Sequence, residues 1–368
     1  MSWTITKEDV RKISLGAQVL SCGGGGKTNT IEHLLLSVMN EDDVIIVKAI
    51  NELMDEWVLP VAVVGSPVLF SEDLPTGTEF SSLVKQYERH TGKEVNAVMS
   101  LEIGGMNAIS PLIAALQTDL PVVDGDAMGR AFPELDMTTL SLNHISLTPL
   151  IVKTHRAMTT ISDQDDEIAV WNQIKELLLQ DNGYAHFTGY GMKGSEVKGA
   201  TVPGSLHLAY RLGKVLIEKG STEKMKGMIT AFGNSVYGSP GFIFRGVISS
   251  VNRWFENGSL VGVCYINGKD AYSSRQIIVR FQNEFLSIAE HERFICTSPD
   301  LILMMHSETM FPYNVSDIQE GDAVLVMSVP APSILRTTEM LQRVGPNRFE
   351  LGTEYDPVHF DVMGGKMQ

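Results

Sequence analysis

Cysteine is scarce in this 368-residue chain: Cys22, Cys264 and Cys296 are the only three, far apart and odd in number. Scattered thiols of this kind offer neither a metal knuckle nor a disulfide framework, and they predict a protein of the reducing cytoplasm. Long apolar runs are also missing, and none approaches the ~18–20 residues that a membrane-crossing helix needs. The opening stretch, MSWTITKEDVRK, has no basic segment followed by an apolar one, so no secretory signal is expected. Positive charge is in deficit. Lys and Arg total 29 against 44 Asp and Glu, a net charge of −15. Such a chain repels phosphate backbones and anionic lipid, which excludes nucleic acid and membrane as expected partners.

What is present is ordinary for a globular protein, with 43% hydrophobic and 20% charged residues. The length exceeds what one core usually serves, so two domains are expected. Residues 7–20 space Val10, Ile13, Leu15, Ala17 and Leu20 helically behind a Thr6 cap, with Asp9 three residues on. A second helix starts near Asn29. Short apolar runs at 44–50, 61–64, 96–101 and 121–123 read as buried parallel strands, with helices at about 79–90 and 107–117 between them. That alternation predicts an α/β domain over residues 1–165 with a largely parallel sheet. An amphipathic helix (Ile168, Trp171, Ile174, Leu177, Leu178) and another at 204–219 follow, the latter free to pack back on the first domain. From Gly241 the chain becomes short strands broken at Glu256-Asn257-Gly258, Asn267-Gly268 and Glu320-Gly321-Asp322. The stretch 166–368 is therefore expected to be mostly a small antiparallel barrel or sandwich.

Residues 21–28, SCGGGGKT, resemble a phosphate loop, but Ser21 stands where that pattern needs glycine, and the loop follows a helix instead of a strand. No nucleotide is expected. Four glycines in a row still imply close backbone approach or positive φ angles, and the amides of Gly23, Gly24, Gly25 and Gly26 could face an anion. The bland alternative is a tight connection between helices.

The stretch PVVDGDAMGRAFPE at 121–134 carries the densest chemistry. Its strand is expected to end at Val123, which puts Asp124 and Asp126 at a carboxyl-terminal strand end, where α/β sheets bind ligands. Flanking one glycine, they can converge on one water or one cation, or one can raise the pKa of the other. Arg130 is placed either to fork a substrate carboxylate or to pair with the aspartates. Glu134 is a further acid or base. A second strand end at 96–101 leads into Glu102, which could orient a water, and Asn107, which could cap a helix or touch substrate. The nine histidines form no metal pattern; His144 and His207 are the site candidates among them, His155 and His186 being core or surface. Cys22 reads either as a nucleophile near helix amides or as a small buried residue.

The combination of SCGGGG, SLEIGGMNA at 100–108 and LPVVDGDAMGRAFPE at 120–134 resembles the S-methyl-thiohydantoin desulfurase family. SPDLI at 298–302 and Ala331-Pro332 extend the likeness over nearly the whole chain. The resemblance implies a three-layer αβα N-terminal domain and a C-terminal β-barrel-like domain. It also implies hydrolysis of the C–S bond of an S-methylated thiohydantoin with a propionate arm, giving a hydantoin and methanethiol. Asp124 or Asp126 would be the base, Glu102 or Glu134 its partner, Arg130 the holder of the substrate carboxylate, and the glycine amides a lining for the ring. A divalent metal on Asp124 and Asp126 is the alternative way to activate the water. Two other functions stay open: hydrolysis of another cyclic amide or imide, or non-catalytic partnership with a hydantoinase-type enzyme. A homo-oligomer is expected on frequency alone.

Overall fold

Two sheets divide the chain in the computed structural model, which describes residues 2–358 apart from 73, 74, 163, 165, 219 and 257. The first sheet is built from β1 (Trp3–Ile5), β2 (Ile45–Ala49), β3 (Trp57–Gly65), β4 (Ala97–Ser100), β5 (Val122–Asp126), β6 (Leu150–Lys153), β7 (Met158–Ile161) and β8 (Tyr184–Thr188). Short strands β9 (Met192–Lys193) and β10 (Val202–Pro203) pair with β3 and β5. The order is β1-β2-β5-β4-β3-β8-β6-β7.

Only the central pairs β2–β5, β5–β4 and β4–β3 are parallel. The sheet is therefore mixed, where the strand–helix alternation alone suggested a largely parallel one. β6 and β7 form a hairpin, which can only be antiparallel, and β8 enters beside β3 in the same sense. The central strands are apolar on both sides because both faces are covered. Val61 and Val98 join the core beneath helices Lys7–Leu20, Asn29–Val38 and Ser110–Thr118. Ala62 and Met99 face the opposite core with helices Glu167–Gln180 and Gly194–Ala200. The result is three layers, α/β/α.

Helix Ser205–Glu218 does pack on this first unit, against helix Lys7–Leu20. Two glycines allow the backbones to touch. A Cβ on Gly16 would lie 1.7 Å from Ala209 O, and one on Gly213 would lie 1.7 Å from Lys12 O. The Thr6 cap holds as expected, its amide donating to the Asp9 carboxylate at 3.1 Å.

The second sheet comprises β11 (Phe242–Glu256), β12 (Ser259–Gly268), β13 (Gln276–Gln282), β14 (Glu284–Glu290), β15 (Arg293–Thr297), β16 (Leu301–His306) and β17 (Ala323–Val329). All its pairs are antiparallel, in the order β15-β14-β13-β12-β11-β17-β16, and it curls into half a barrel around Phe244, Ile266, Phe281 and Val326. The breaks at Gly268 and Gly321 fall at strand ends, whereas Asn257 lies outside the described residues. Among the described residues no helix is long and apolar enough to cross a membrane.

Candidate active site at the junction of the two sheets

β5 does not stop at Val123. It runs on through Asp126, because β10 pairs with Asp126 and Gly125 and extends the ladder by one turn of the pleat. Asp124 and Asp126 consequently lie on one side of the sheet, yet each is committed to main-chain amides. Asp124 Oδ1 accepts from the His207 amide at 3.0 Å, so it caps helix Ser205–Glu218 from a neighbouring strand. Burial raises the Asp124 pKa, and the His207 amide opposes that rise. Asp126 Oδ2 accepts from Gly129 (2.7 Å), Met128 (3.0 Å) and Ile103 (3.0 Å). Its Oδ1 has no partner in the protein. Burial pushes Asp126 up to about 6 against the pull of those amides.

The divalent-metal alternative does not fit this donor set. Hard cations take several free oxygen ligands, whereas Oδ2 of Asp126 is shared among three N–H donors and Oδ1 of Asp124 accepts one, so a single cation would have to compete with main-chain amides at both residues. Among the described residues no group of three or more His, Cys, Asp or Glu side chains is arranged to hold a metal ion.

Glu102 follows β4 and is buried, accepting from the Phe132 amide at 3.4 Å. Its pKa is raised well above the ordinary carboxylate value, by burial first, then by the charge of Glu284, and further by that of Asp126. Glu284 is the residue that the motifs did not single out. It opens β14 just after Asn283, whose φ of 60° marks a tight turn, and it faces the first unit. Burial pushes it up to about 8, with Arg130 and the Gly25 amide opposing. Three buried carboxyls from both sheets thus share one electrostatic neighbourhood. A lone glutamate directly before the apolar run FLSI was the signal available in the sequence.

The glycine loop forms the wall beside this group. Gly24 has no room for a side chain, since a Cβ would lie 2.2 Å from Glu284 Oε1. Gly25 has a φ of 64° and lies against Gly104, and its carbonyl accepts from the Met106 amide at 3.0 Å. Cys22 O and Gly23 O accept from Phe285 and Val315 at 2.7 and 3.0 Å, which sews the loop to the second sheet. The anion facing the Gly25 amide is therefore the Glu284 carboxyl itself. Lys27 pairs with Asp317 at 3.1 Å and does not turn toward the loop.

Of the remaining expected residues only Asn107 reaches the carboxyl group, and the others are elsewhere or otherwise engaged. Arg130 is fully buried and forks neither aspartate. Its Nη1 donates to Asp300 O (2.8 Å), its Nη2 to Phe285 O (2.8 Å) and its Nε to Ala131 O (3.3 Å). It bolts the acidic loop to the second sheet. Glu134 pairs with Arg348 on the surface, at a cleft of about 190 Å³ shared with Asp136, Glu167 and Trp171, away from the carboxyl group described above. Asn107 caps no helix; it is half-buried, and its side chain also hydrogen-bonds Glu102, which opposes the rise of that carboxyl's pKa. Its Oδ1 accepts from Val63 N (2.7 Å) and its Nδ2 donates to Val63 O (3.2 Å), so it continues the edge of β3. His144 is an exposed turn residue, and the His207 ring stacks on Tyr210 and packs tilted against Trp3. His186 is buried among Phe70, Phe80 and Tyr184. Cys22 is buried, and burial raises its thiol pKa, which is opposite to what a nucleophilic thiolate requires.

A crystal structure of a protein from Chromobacterium violaceum superposes with a TM-score of 0.77 at 20% identity, covering 97% of this chain and all of that one. At that identity the likeness shows the fold. No curated protein matches the chain. The family model for the S-Me-THD-like N-terminal domain matches residues 8–164, and that for the S-Me-THD-like C-terminal domain matches 164–358. With both halves matched over nearly its full length, the chain belongs to the S-Me-THD-like family.

Proposed function

We propose that this protein hydrolyses the C–S bond of an S-methylated thiohydantoin, releasing methanethiol and leaving a hydantoin. The observation that carries the reading is the shared neighbourhood of Glu102, Asp126 and Glu284 beside the glycine wall. Like-charged carboxyls buried together cannot all ionise, so the group keeps protons at neutral pH and can both accept and return one. Asp126, at about 6, is mostly ionised at pH 7, and Glu284, at about 8, is mostly protonated. Glu102 is 7% exposed against 4% for Glu284 and none for Asp126, which makes it the least buried residue of the three.

The chemistry balances within that group. Water adds to the ring carbon between the two nitrogens, oriented by Glu102, and its proton passes to Asp126, the carboxyl that is ionised at neutral pH. The tetrahedral intermediate collapses to a carbonyl and expels methanethiolate. Glu284 protonates the ring nitrogen as water adds and recovers a proton from the intermediate's hydroxyl as the carbonyl forms, while the proton held by Asp126 leaves with methanethiolate as methanethiol, which returns both carboxyls to their starting states. A thiolate is a good leaving group, so modest acid assistance is enough. No step here passes through a metal.

Incubation with an S-methylated thiohydantoin propionate, followed by thiol detection, tests the reading directly. Methanethiol should appear with the wild type and fall by at least ~100-fold with Asp126→Asn in protein that stays folded. Absence of release, with and without added divalent cations, would remove the assignment.

A further inference from the structure

Four buried polar atoms on the described part of the second sheet have no hydrogen-bond partner in the protein, and three of them, Glu284 Oε2, Ser287 Oγ and Thr297 Oγ1, lie together on β14 and β15, the fourth being Ser328 Oγ on β17. The ladder register places all three on one face. Across β13–β14, Glu284 lies opposite Gln282 and Ser287 opposite Arg280, whereas Phe285 and Ile288 lie opposite the core residues Phe281 and Val279. Residues paired across a ladder point to the same side, so Glu284 and Ser287 share the outer face with the exposed Arg280. Thr297, opposite Ser287 across β14–β15, joins them. Yet Ser287 is fully buried and Thr297 only 3% exposed. The Arg130 guanidinium is anchored to Phe285 O just before Ser287 and to Asp300 O just after Thr297, so a fixed cation borders the same patch.

Buried hydroxyls without partners are unusual, and several on one patch beside a cation call for an occupant with several acceptor oxygens. We infer that this face of β14–β15 is the binding wall for the carboxylate arm of an acidic ring substrate. The Ser287 and Thr297 hydroxyls donate to the carboxylate, Arg130 balances its charge, and Glu284 is left to meet the ring. The inference deepens the reading of the preceding subsection and rests on it for the identity of the ring alone.

Calorimetric titration with two probes tests it: a hydantoin carrying a propionate arm, and hydantoin itself. The wild type should bind the armed ring more tightly. Ser287→Ala with Thr297→Val should weaken that binding by about tenfold or more, leave plain hydantoin unaffected and keep the melting temperature. Thr297→Ser should retain wild-type affinity. The inference is overturned if the wild type shows no preference for the arm. It is equally overturned if the double variant binds as the wild type does. A double variant that loses both probes equally while melting earlier also overturns it, since the hydroxyls would then hold structural water. Methanethiol release is a separate readout. Arm-dependent binding without release keeps the wall and removes the reaction, and release with arm-independent binding does the reverse.

Discussion

Replacing Glu284 with Gln should make the protein more stable, and by an amount that depends on pH. In the folded chain this carboxyl keeps its proton up to about pH 8, against an ordinary value of 4.5, mainly because it is buried. Between those two values the unfolded chain has lost the proton and the folded chain has not. Folding therefore takes up a proton, and wild-type stability falls as pH rises from about 4.5 to about 8, then levels once both states are ionised. The full difference is on the order of 5 kcal/mol, reduced wherever Glu102 or Arg130 readjusts. Gln fills nearly the same volume and carries no proton to lose, so its stability curve lacks this descent. Urea unfolding of both proteins at intervals from pH 4.5 to pH 9 measures the gap directly. Near pH 5 the two should be close, and above pH 8 the variant should lead by several kcal/mol while losing the activity proposed above. Curves that stay parallel across the range would refute the argument, because they would mean that Glu284 ionises in the fold as it does in water.

The other expectations concern the same junction. The pH profile of kcat/KM should be bell-shaped, rising through about 6 as Asp126 ionises and falling through about 8 as Glu284 loses its proton; a flat profile from 5 to 9 would exclude this carboxyl group as the acid–base pair. Gly24→Ala puts a methyl 2.2 Å from Glu284 Oε1, so it should cost about 1–3 kcal/mol by overpacking and lower activity further than it lowers stability, as paired denaturation and rate measurements would show. Arg130→Met strands the carbonyls of Phe285 and Asp300 in the interior, with an expected loss of about 4 kcal/mol seen in thermal or urea unfolding. Gly213→Ala, far from the carboxyls, should destabilise by separating the two glycine-contacting helices, with little change in KM among the molecules that remain folded.

How far this junction was legible from residues alone depends on the range of the interaction that makes it. Local patterns were informative: the Thr6–Asp9 cap, the helices on either side of the glycine loop, and the strand runs at β2, β4 and β5 follow from periodicity and capping within a few residues. The acidic loop stands out in the sequence as chemically dense, but its internal assignments depended on partners far away in the chain. Asp124 looks like a site residue until helix Ser205–Glu218 is brought to it, more than 80 residues later, and its carboxylate becomes a cap. Arg130 looks like a substrate fork until the second sheet presents two carbonyls to it. Asn107 is absorbed by the edge of β3, and Glu134 is drawn to Arg348. The converse holds for Glu284. Nothing near it in sequence is acidic, glycine-rich or paired, and its importance arises only when the glycine loop and Glu102 close over it. Its burial is what gives it a proton to donate at neutral pH, and that burial is produced by the docking of one sheet on the other. A motif can state which residues are unusual, but the pKa that makes a carboxyl useful is a property of its surroundings. The four glycines of the loop were thus the better clue to Glu284 than any acidic motif, because a backbone stripped of side chains implies something that must come close, and here that something is the carboxyl.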